Sequence, residues 1–285
     1  MTAVKMKGPQ IFQNIDEIVP GRVTMCVSWA IPASTASTFY FSIEDNPQYA
    51  YRPFFSDFGP LSIAQIHRFY VTLKNLIETR QEHIKFHSTP KPTALPNAVL
   101  LTAAFRMIHL GMDPEEALRP FLQILNLLKP FRDATSLPST FDLTVEHCIY
   151  GLHKALELKW YTPDNFDVER WEYLEAVEHG DMNWLIPGKI LAFATPYDTP
   201  IVQGWKVSTP QELVPVFREL GITHIIRLCK KFYNENVFVR SGFQHIELYF
   251  DDGTCPTPSI IRSFMSVVES DAVIAVHCKA GLGRT

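Results

Sequence analysis

The sequence predicts two tandem α/β domains with central sheets covered on both faces. Short apolar segments of strand character recur in both halves, and segments with apolar residues every three or four positions stand between them. The length, 285 residues at 46% hydrophobic, is about twice a usual domain of roughly 100–150 residues and suffices for two cores.

In the first half, Val23, Met25, Val27 and Trp29 alternate within Arg22 to Trp29, and Phe39, Phe41 and Ile43 within Thr38 to Ile43. That is the period of half-buried strands, and these two open the first domain. Ser62 then caps a segment in which Ile63, Ile66, Phe69, Tyr70, Leu73, Leu76 and Ile77 return at helical spacing. A strand at about Ile84 to His87 follows, then the Pro-punctuated loop Ser88 to Pro96, an apolar helix to about Leu110, and a fresh helix start at Asp113-Pro114, where Asp caps and Pro presets φ.

The second half starts afresh after Gly180. Trp184 to Gly188 leads into an apolar strand at Lys189 to Phe193. Pro210 to Leu220 reads as a helix, Thr223 to Leu228 and Gln244 to Phe250 as strands, Pro258 to Glu269 as a helix capped by Thr257, and Ala272 to Val276 as a short buried strand.

Between the halves, Asp167 to His179 predicts one helix with Asp167 as N-cap and Gly180 at the C-terminal cap position. Val168, Trp171, Leu174 and Val177 form its apolar stripe; Glu169, Glu172, Glu175 and Glu178 recur every third residue, and Asp181 follows the cap. The residues alone leave two readings open, a solvated helix face or an acidic groove for a basic substrate segment. The expected organisation is a first domain over 10–162, a linker helix over 163–182 and a second domain over 183–285.

A formal charge of -4 and a pI near 6.2 argue against nucleic acid or anionic membrane as partners, which favour strongly basic surfaces. Met1 to Gln10 holds two lysines and no apolar run, and Ala98 to His109 is interrupted by Arg106, so neither a signal peptide nor a membrane span is expected and the chain is placed in cytosol or nucleus. Five widely spaced cysteines with no C-x-x-C pair fit neither a disulfide framework nor a zinc site. No metal and no cofactor is implied; the oligomeric state is left open.

The chemistry is concentrated in His277-Cys278-Lys279-Ala280-Gly281-Leu282-Gly283-Arg284-Thr285. A phosphate monoester is a dianion, so attack on its phosphorus needs an ionised nucleophile and a positive pocket. A buried strand ends at Cys278, and a loop containing Gly281 and Gly283 can turn successive N–H groups inward as an anion cradle from Lys279 to Arg284. Such dipoles lower a cysteine pKa from about 8.5 to roughly 3.5–7.5. Arg284 can hold two phosphate oxygens at once, His277 orients the loop, and Thr285 donates to the sulfur. Cys26, Cys148, Cys229 and Cys255 lack an arginine six residues on, where Pro32, Lys154, Glu235 and Ile261 stand. The leaving oxygen also needs a proton, a step worth about 10²–10⁴ in rate. The loop Phe250-Asp251-Asp252-Gly253 is the candidate source, unless it only builds a turn.

This signature resembles that of the cell-division-cycle fourteen dual-specificity phosphatases. Phe55 to Leu61, Pro130 to Ala134, Gly180 to Trp184 and Pro187-Gly188-Lys189 are similar to that family too, so the likeness runs from about residue 10 onward. The resemblance implies two tandem phosphatase-like domains with only the second catalytic. It favours Asp252 as the acid, with Asp251 second, and assigns Glu172, Glu175 and Asp181 to an acidic substrate groove. The implied partners are phosphoproteins carrying phosphoserine before proline with a basic residue nearby. The implied location is nucleus and cytoplasm, with nucleolus, centrosome or spindle as sites. Because the chain stops at Thr285, the second domain is expected to leave one sheet face uncovered, and the competing reading is a non-catalytic phosphoprotein-binding or scaffold protein.

Overall fold

The computed structural model describes residues 11–135, 138–139 and 141–285. The leading segment 1–10, with its two lysines, lies outside them. The chain divides into two compact units, Met1–Phe166 and Asp167–Thr285.

The first unit opens earlier than the sequence suggests, with β1 (Ile11–Val19), followed by β2 (Val23–Ser28) and β3 (Thr38–Ser42). α1 (Ile63–Thr79) starts at a capping box, Ser62 accepting from the Gln65 N–H while the Gln65 side chain accepts from the Ser62 N–H. Then come β4 (His83–Ser88), α2 (Leu95–Leu110), α3 (Pro114–Leu118), α4 (Leu122–Leu125) and α5 (Val145–Glu157). The strands run in the order β1-β2-β4-β3; β1 is antiparallel to β2, while β2 and β3 are parallel to β4. α2 is apolar nearly all round, as a helix buried between the sheet and α1 and α5 must be. Phe166 stays with this unit because its ring packs on His67 and Tyr161.

The second unit begins with α6 (Val168–Glu175). The single helix expected over Asp167 to His179 is two pieces: Ala176 is extended (φ -64°, ψ 134°) and a separate 3₁₀ turn covers Val177–His179. The break turns Val177 outward, 59% exposed, so the apolar stripe ends at Leu174. Leu174 joins the core of the second unit and Arg170 pairs with Glu219, so α6 is built into that unit rather than forming a separate linker. The remaining elements are β5 (Asn183–Ile186), β6 (Ile190–Phe193), the small hairpin β7 (Ile201–Val202) and β8 (Trp205–Lys206), α7 (Pro210–Glu219), β9 (His224–Arg227), α8 (Asn236–Arg240), β10 (Gln244–Glu247), α9 (Pro258–Val268) and β11 (Ile274–His277).

The main sheet of this unit runs β10-β9-β11-β6-β5, all parallel except the edge strand β5. Alternate residues face opposite sides. Leu191, Phe193, Ile225 and Ala275 meet Leu213, Phe217 and Phe238 of α7 and α8. Ile190, Ile226, Ile274 and Val276 lie on the other face against Ile260, Phe264 and Val267 of α9. The face expected to lie bare thus carries α9, which itself exposes Ile261 and Met265. Among the described residues, no helix is long and apolar enough to cross a membrane.

Candidate active site

β11 is the central strand of its sheet, and all four of its residues are buried. It delivers Cys278, 3% exposed, to the C-terminal end of the parallel strands, where α/β sheets place their ligand crevices. The chain then bends back on itself at Gly281, whose φ of +74° lies in the left-handed region that glycine enters freely. Burial alone would raise the Cys278 thiol. The Thr285 hydroxyl, buried and without a hydrogen-bond partner of its own, is close enough to favour the thiolate, and with the N–H groups of Thr285, Gly283 and Gly281 it outweighs burial, holding the thiol down at about 7. Lys279 and Leu282 turn their side chains to solvent, Ala280 is half-buried, and the Lys279 carbonyl anchors the loop by accepting from the Thr195 N–H at 3.1 Å.

Arg284 folds back over the loop with its side chain 8% exposed. One terminal nitrogen donates to the Phe250 carbonyl at 3.2 Å, the other lies 3.5 Å from a carboxylate oxygen of Asp252, and the buried Nε has no hydrogen-bond partner. The two adjacent aspartates separate here. Asp252, 71% exposed, faces Arg284, whereas Asp251 accepts from the Tyr249 hydroxyl at 2.5 Å and its carbonyl from the Thr254 hydroxyl at 2.7 Å.

Glu172, Glu175 and Asp181 come together at the end of α6. Burial first, and then the charges of Asp181 and Glu172, raise Glu175 to about 7, and burial raises Asp181 as well. Glu169 and Glu178 point into solvent. Hydrogen bonds tie this cluster to the cysteine loop along the exit of β6: the Ala194 N–H donates to the Gly180 carbonyl at 3.1 Å, and the next N–H, that of Thr195, holds Lys279. Among the described residues, no group of three or more His, Cys, Asp or Glu side chains is placed to hold a metal ion.

A family model for the dual specificity protein phosphatase, N-terminal half, matches residues 17–155, and a model for a polymorphic toxin system DSP-PTPase phosphatase matches residues 202–285. The dual specificity protein phosphatase CDC14AB of Danio rerio is 38% identical, the alignment covering 100% of this chain and 47% of that protein. CDC14A of Homo sapiens is 38% identical over 89% of this chain and 43% of its own length. The tyrosine-protein phosphatase CDC14 of Saccharomyces cerevisiae is 31% identical over 98% of this chain and 53% of its own length. The chain belongs to the CDC14 family of dual specificity phosphatases. It spans about half the length of these relatives.

The two units of this CDC14-family chain share a sheet order. An antiparallel edge strand, its partner, the last strand and an earlier parallel strand run β1-β2-β4-β3 in one and β5-β6-β11-β9 in the other. In both, the last strand carries a histidine at or next to its end: His87 lies opposite Cys26 and Ser42, and His277 opposite Phe193 and Arg227. Counting on from these, Ser88 stands where Cys278 stands and Ala94 where Arg284 stands. The mouth of that first loop is already occupied by Glu44, whose carboxylate accepts from the Thr89 N–H and hydroxyl and pairs with Lys91.

Sequence reasoning missed the support behind the cysteine loop. Fully buried His277 donates from Nδ1 to the Cys278 carbonyl at 3.0 Å, which leaves Nε2 to accept from the Tyr233 hydroxyl at 2.8 Å. Tyr233 also meets His245 at 2.7 Å, and its ring lies under the guanidinium of Arg227, itself held by Glu247. Burial keeps His277 neutral, down at about 3, so the tautomer is fixed by its partners. Tyr233 sits in an irregular segment after β9, with no periodicity or motif spacing to signal that it reaches β11.

Proposed function

We propose that this chain is a protein phosphatase that hydrolyses phosphoserine and phosphothreonine followed by proline, and phosphotyrosine, through a cysteinyl-phosphate intermediate. One observation carries the reading: a cysteine whose thiol ionises near neutrality lies at the centre of converging N–H groups, beside an arginine with an unpartnered buried Nε. A bound phosphoryl dianion supplies the missing acceptor for that nitrogen.

In the proposed reaction the Cys278 thiolate attacks phosphorus as the ester oxygen departs, and Asp252 gives that oxygen its proton. The incoming dianion competes with Asp252 for Arg284. Arg284 and the loop N–H groups hold the equatorial oxygens while charge redistributes. Water then attacks the cysteinyl phosphate, with Asp252 as base, and the Thr285 hydroxyl stabilises the departing thiolate. His277 is a positioning residue that fixes the Cys278 carbonyl.

The acidic cluster of Glu172, Glu175 and Asp181 supports a preference for a basic residue shortly after the phosphoserine-proline pair. A cationic side chain arriving there lowers the cost of ionising three crowded carboxyls. The resemblance supports a role in cell division and a place in nucleus and cytoplasm. The test is hydrolysis of an aryl phosphate and a phosphoserine-proline-x-lysine peptide by this chain and its Cys278→Ser variant, with rapid acid quench to trap phosphocysteine. Turnover by the chain alone, with label on Cys278, is the expected result; equal rates in both, or none in either, overturns it.

A further inference from the structure

We propose that Cys229 is a resolving thiol for Cys278, so that oxidation of the nucleophile by a hydroperoxide ends in a reversible Cys229–Cys278 disulfide. The inference rests on the ionised Cys278 of the proposed reaction, but not on phosphatase turnover itself. Both cysteines are free and buried, and both belong to one apolar cluster on the α9 face of the sheet. β9 and β11 are neighbouring parallel strands with Arg227 opposite His277, and the Leu228 N–H donates to the His277 carbonyl at 2.9 Å. The two chains therefore leave the sheet side by side, Cys278 opposite Leu228 and Cys229 one residue further on.

That register suits a bridge. Both cysteines lie just past the strand ends, where strict alternation of faces lapses and both side chains join the α9-side cluster; with strands about 4.8 Å apart and about 3.3 Å of rise per residue, a one-residue diagonal spans roughly 5.8 Å between Cα atoms, inside the window of about 4.4–6.8 Å for disulfides. The electrostatics agree: burial first raises the Cys229 thiol, and the neighbouring Cys278 charge adds to the rise while Arg284 opposes it without reversing it. Cys229 thus stays a protonated thiol while Cys278 is the reactive thiolate, the division of labour that a sensor pair needs.

The steps balance. The Cys278 thiolate attacks one oxygen of the hydroperoxide, the O–O bond breaks, and sulfur becomes sulfenic acid while the peroxide is reduced to alcohol or water. The Cys229 sulfur then attacks the sulfenic sulfur; its proton leaves with the hydroxyl as water, and the S–S bond forms. An external dithiol reverses this by exchange, regenerating both thiols and becoming a disulfide itself. With Cys229 spent in the bridge, Cys278 is shielded from sulfinic and sulfonic acid, which thiols do not reduce.

The experiment treats the full chain with hydrogen peroxide, blocks free thiols by alkylation, and maps the digest by mass spectrometry, with and without dithiothreitol. The expected result is a peptide pair joined through Cys229 and Cys278, lost on reduction. In Cys229→Ser the pair is absent, Cys278 proceeds to sulfinic and sulfonic acid, and dithiothreitol no longer restores its alkylation. A bridge from Cys278 to exposed Cys255 instead, over-oxidation of Cys278 at the same rate with and without Cys229, or a Cys278 that peroxide leaves unoxidised would each overturn the proposal. Because every readout is a mass, failure of the phosphatase reading alone leaves the result legible.

Discussion

Replacing Thr285 by valine removes one hydroxyl and almost nothing else, so it isolates that hydroxyl's part in ionising Cys278. The thiol stands at about 7 because the Thr285 hydroxyl and three N–H groups together outweigh burial. A hydrogen bond to a charged group contributes about 1.5–3 kcal/mol, and each pKa unit corresponds to about 1.36 kcal/mol, so a bond that the otherwise unpartnered Thr285 Oγ1 gives to the thiolate is worth about 1–2 units, the rise expected in Thr285→Val. At pH 7 the thiolate fraction then falls from roughly half to between a tenth and a hundredth, by the same arithmetic. The assay is the pH dependence of Cys278 alkylation by iodoacetamide, read by mass spectrometry and needing no phosphatase substrate. An inflection that stays near its native position would refute the assignment and leave the backbone N–H groups as the whole cause.

Asp252→Asn is expected to lower hydrolysis of the phosphoserine peptide by about 10²–10⁴ and to lower that of an aryl phosphate with an acidic leaving group much less, while Asp251→Asn, which loses only its contact with Tyr249, changes both little; steady-state kinetics with the two substrates separate them. Glu175→Gln is expected to raise KM for a lysine-bearing phosphopeptide without changing turnover of the aryl phosphate. Its stability effect has a definite sign. The folded carboxyl keeps its proton up to about 7 but the unfolded one releases it near 4.3, so the native chain loses stability as pH rises between those values and the penalty is full above 7. Urea unfolding at pH 8 and at pH 4 is expected to show Glu175→Gln more stable than the native chain at the first and level with it at the second. Tyr233→Phe leaves the buried Nε2 of His277 without its donor, at a cost of about 1–3 kcal/mol; a lower unfolding midpoint is expected, together with a shifted alkylation profile for Cys278. Ser88→Cys places a thiol at the matching point of the first unit, where Glu44 already uses the loop donors, and is expected to yield no second cysteine alkylated near neutrality.

The sequence by itself settled the elements whose signals are local. Ser62 predicts the start of α1 because a cap is made within four residues, closed in the structure by Gln65, and the Cys278 to Arg284 spacing marks the loop because its anion cradle is built from its own backbone. What sequence reasoning lost, it lost to contacts from afar. β1 was invisible because its buried Ile15 and Ile18 are three apart, a helical spacing; register shifts within its pairing with β2 bring both to the core. The helix after Asp167 ends at Glu175 rather than His179 because the Asp181 and Met182 N–H groups donate back to the Ala176 and Leu174 carbonyls and close the end of α6, bonds no periodicity reports. The different surroundings of Asp251 and Asp252 come from Tyr249 and Arg284, and the neighbourhood of Cys229 and Cys278 from strand order. Backbone periodicity and loop-local hydrogen bonds are written along the chain. Which side chains share a pocket depends on which strands lie side by side, and only the tertiary structure decides that.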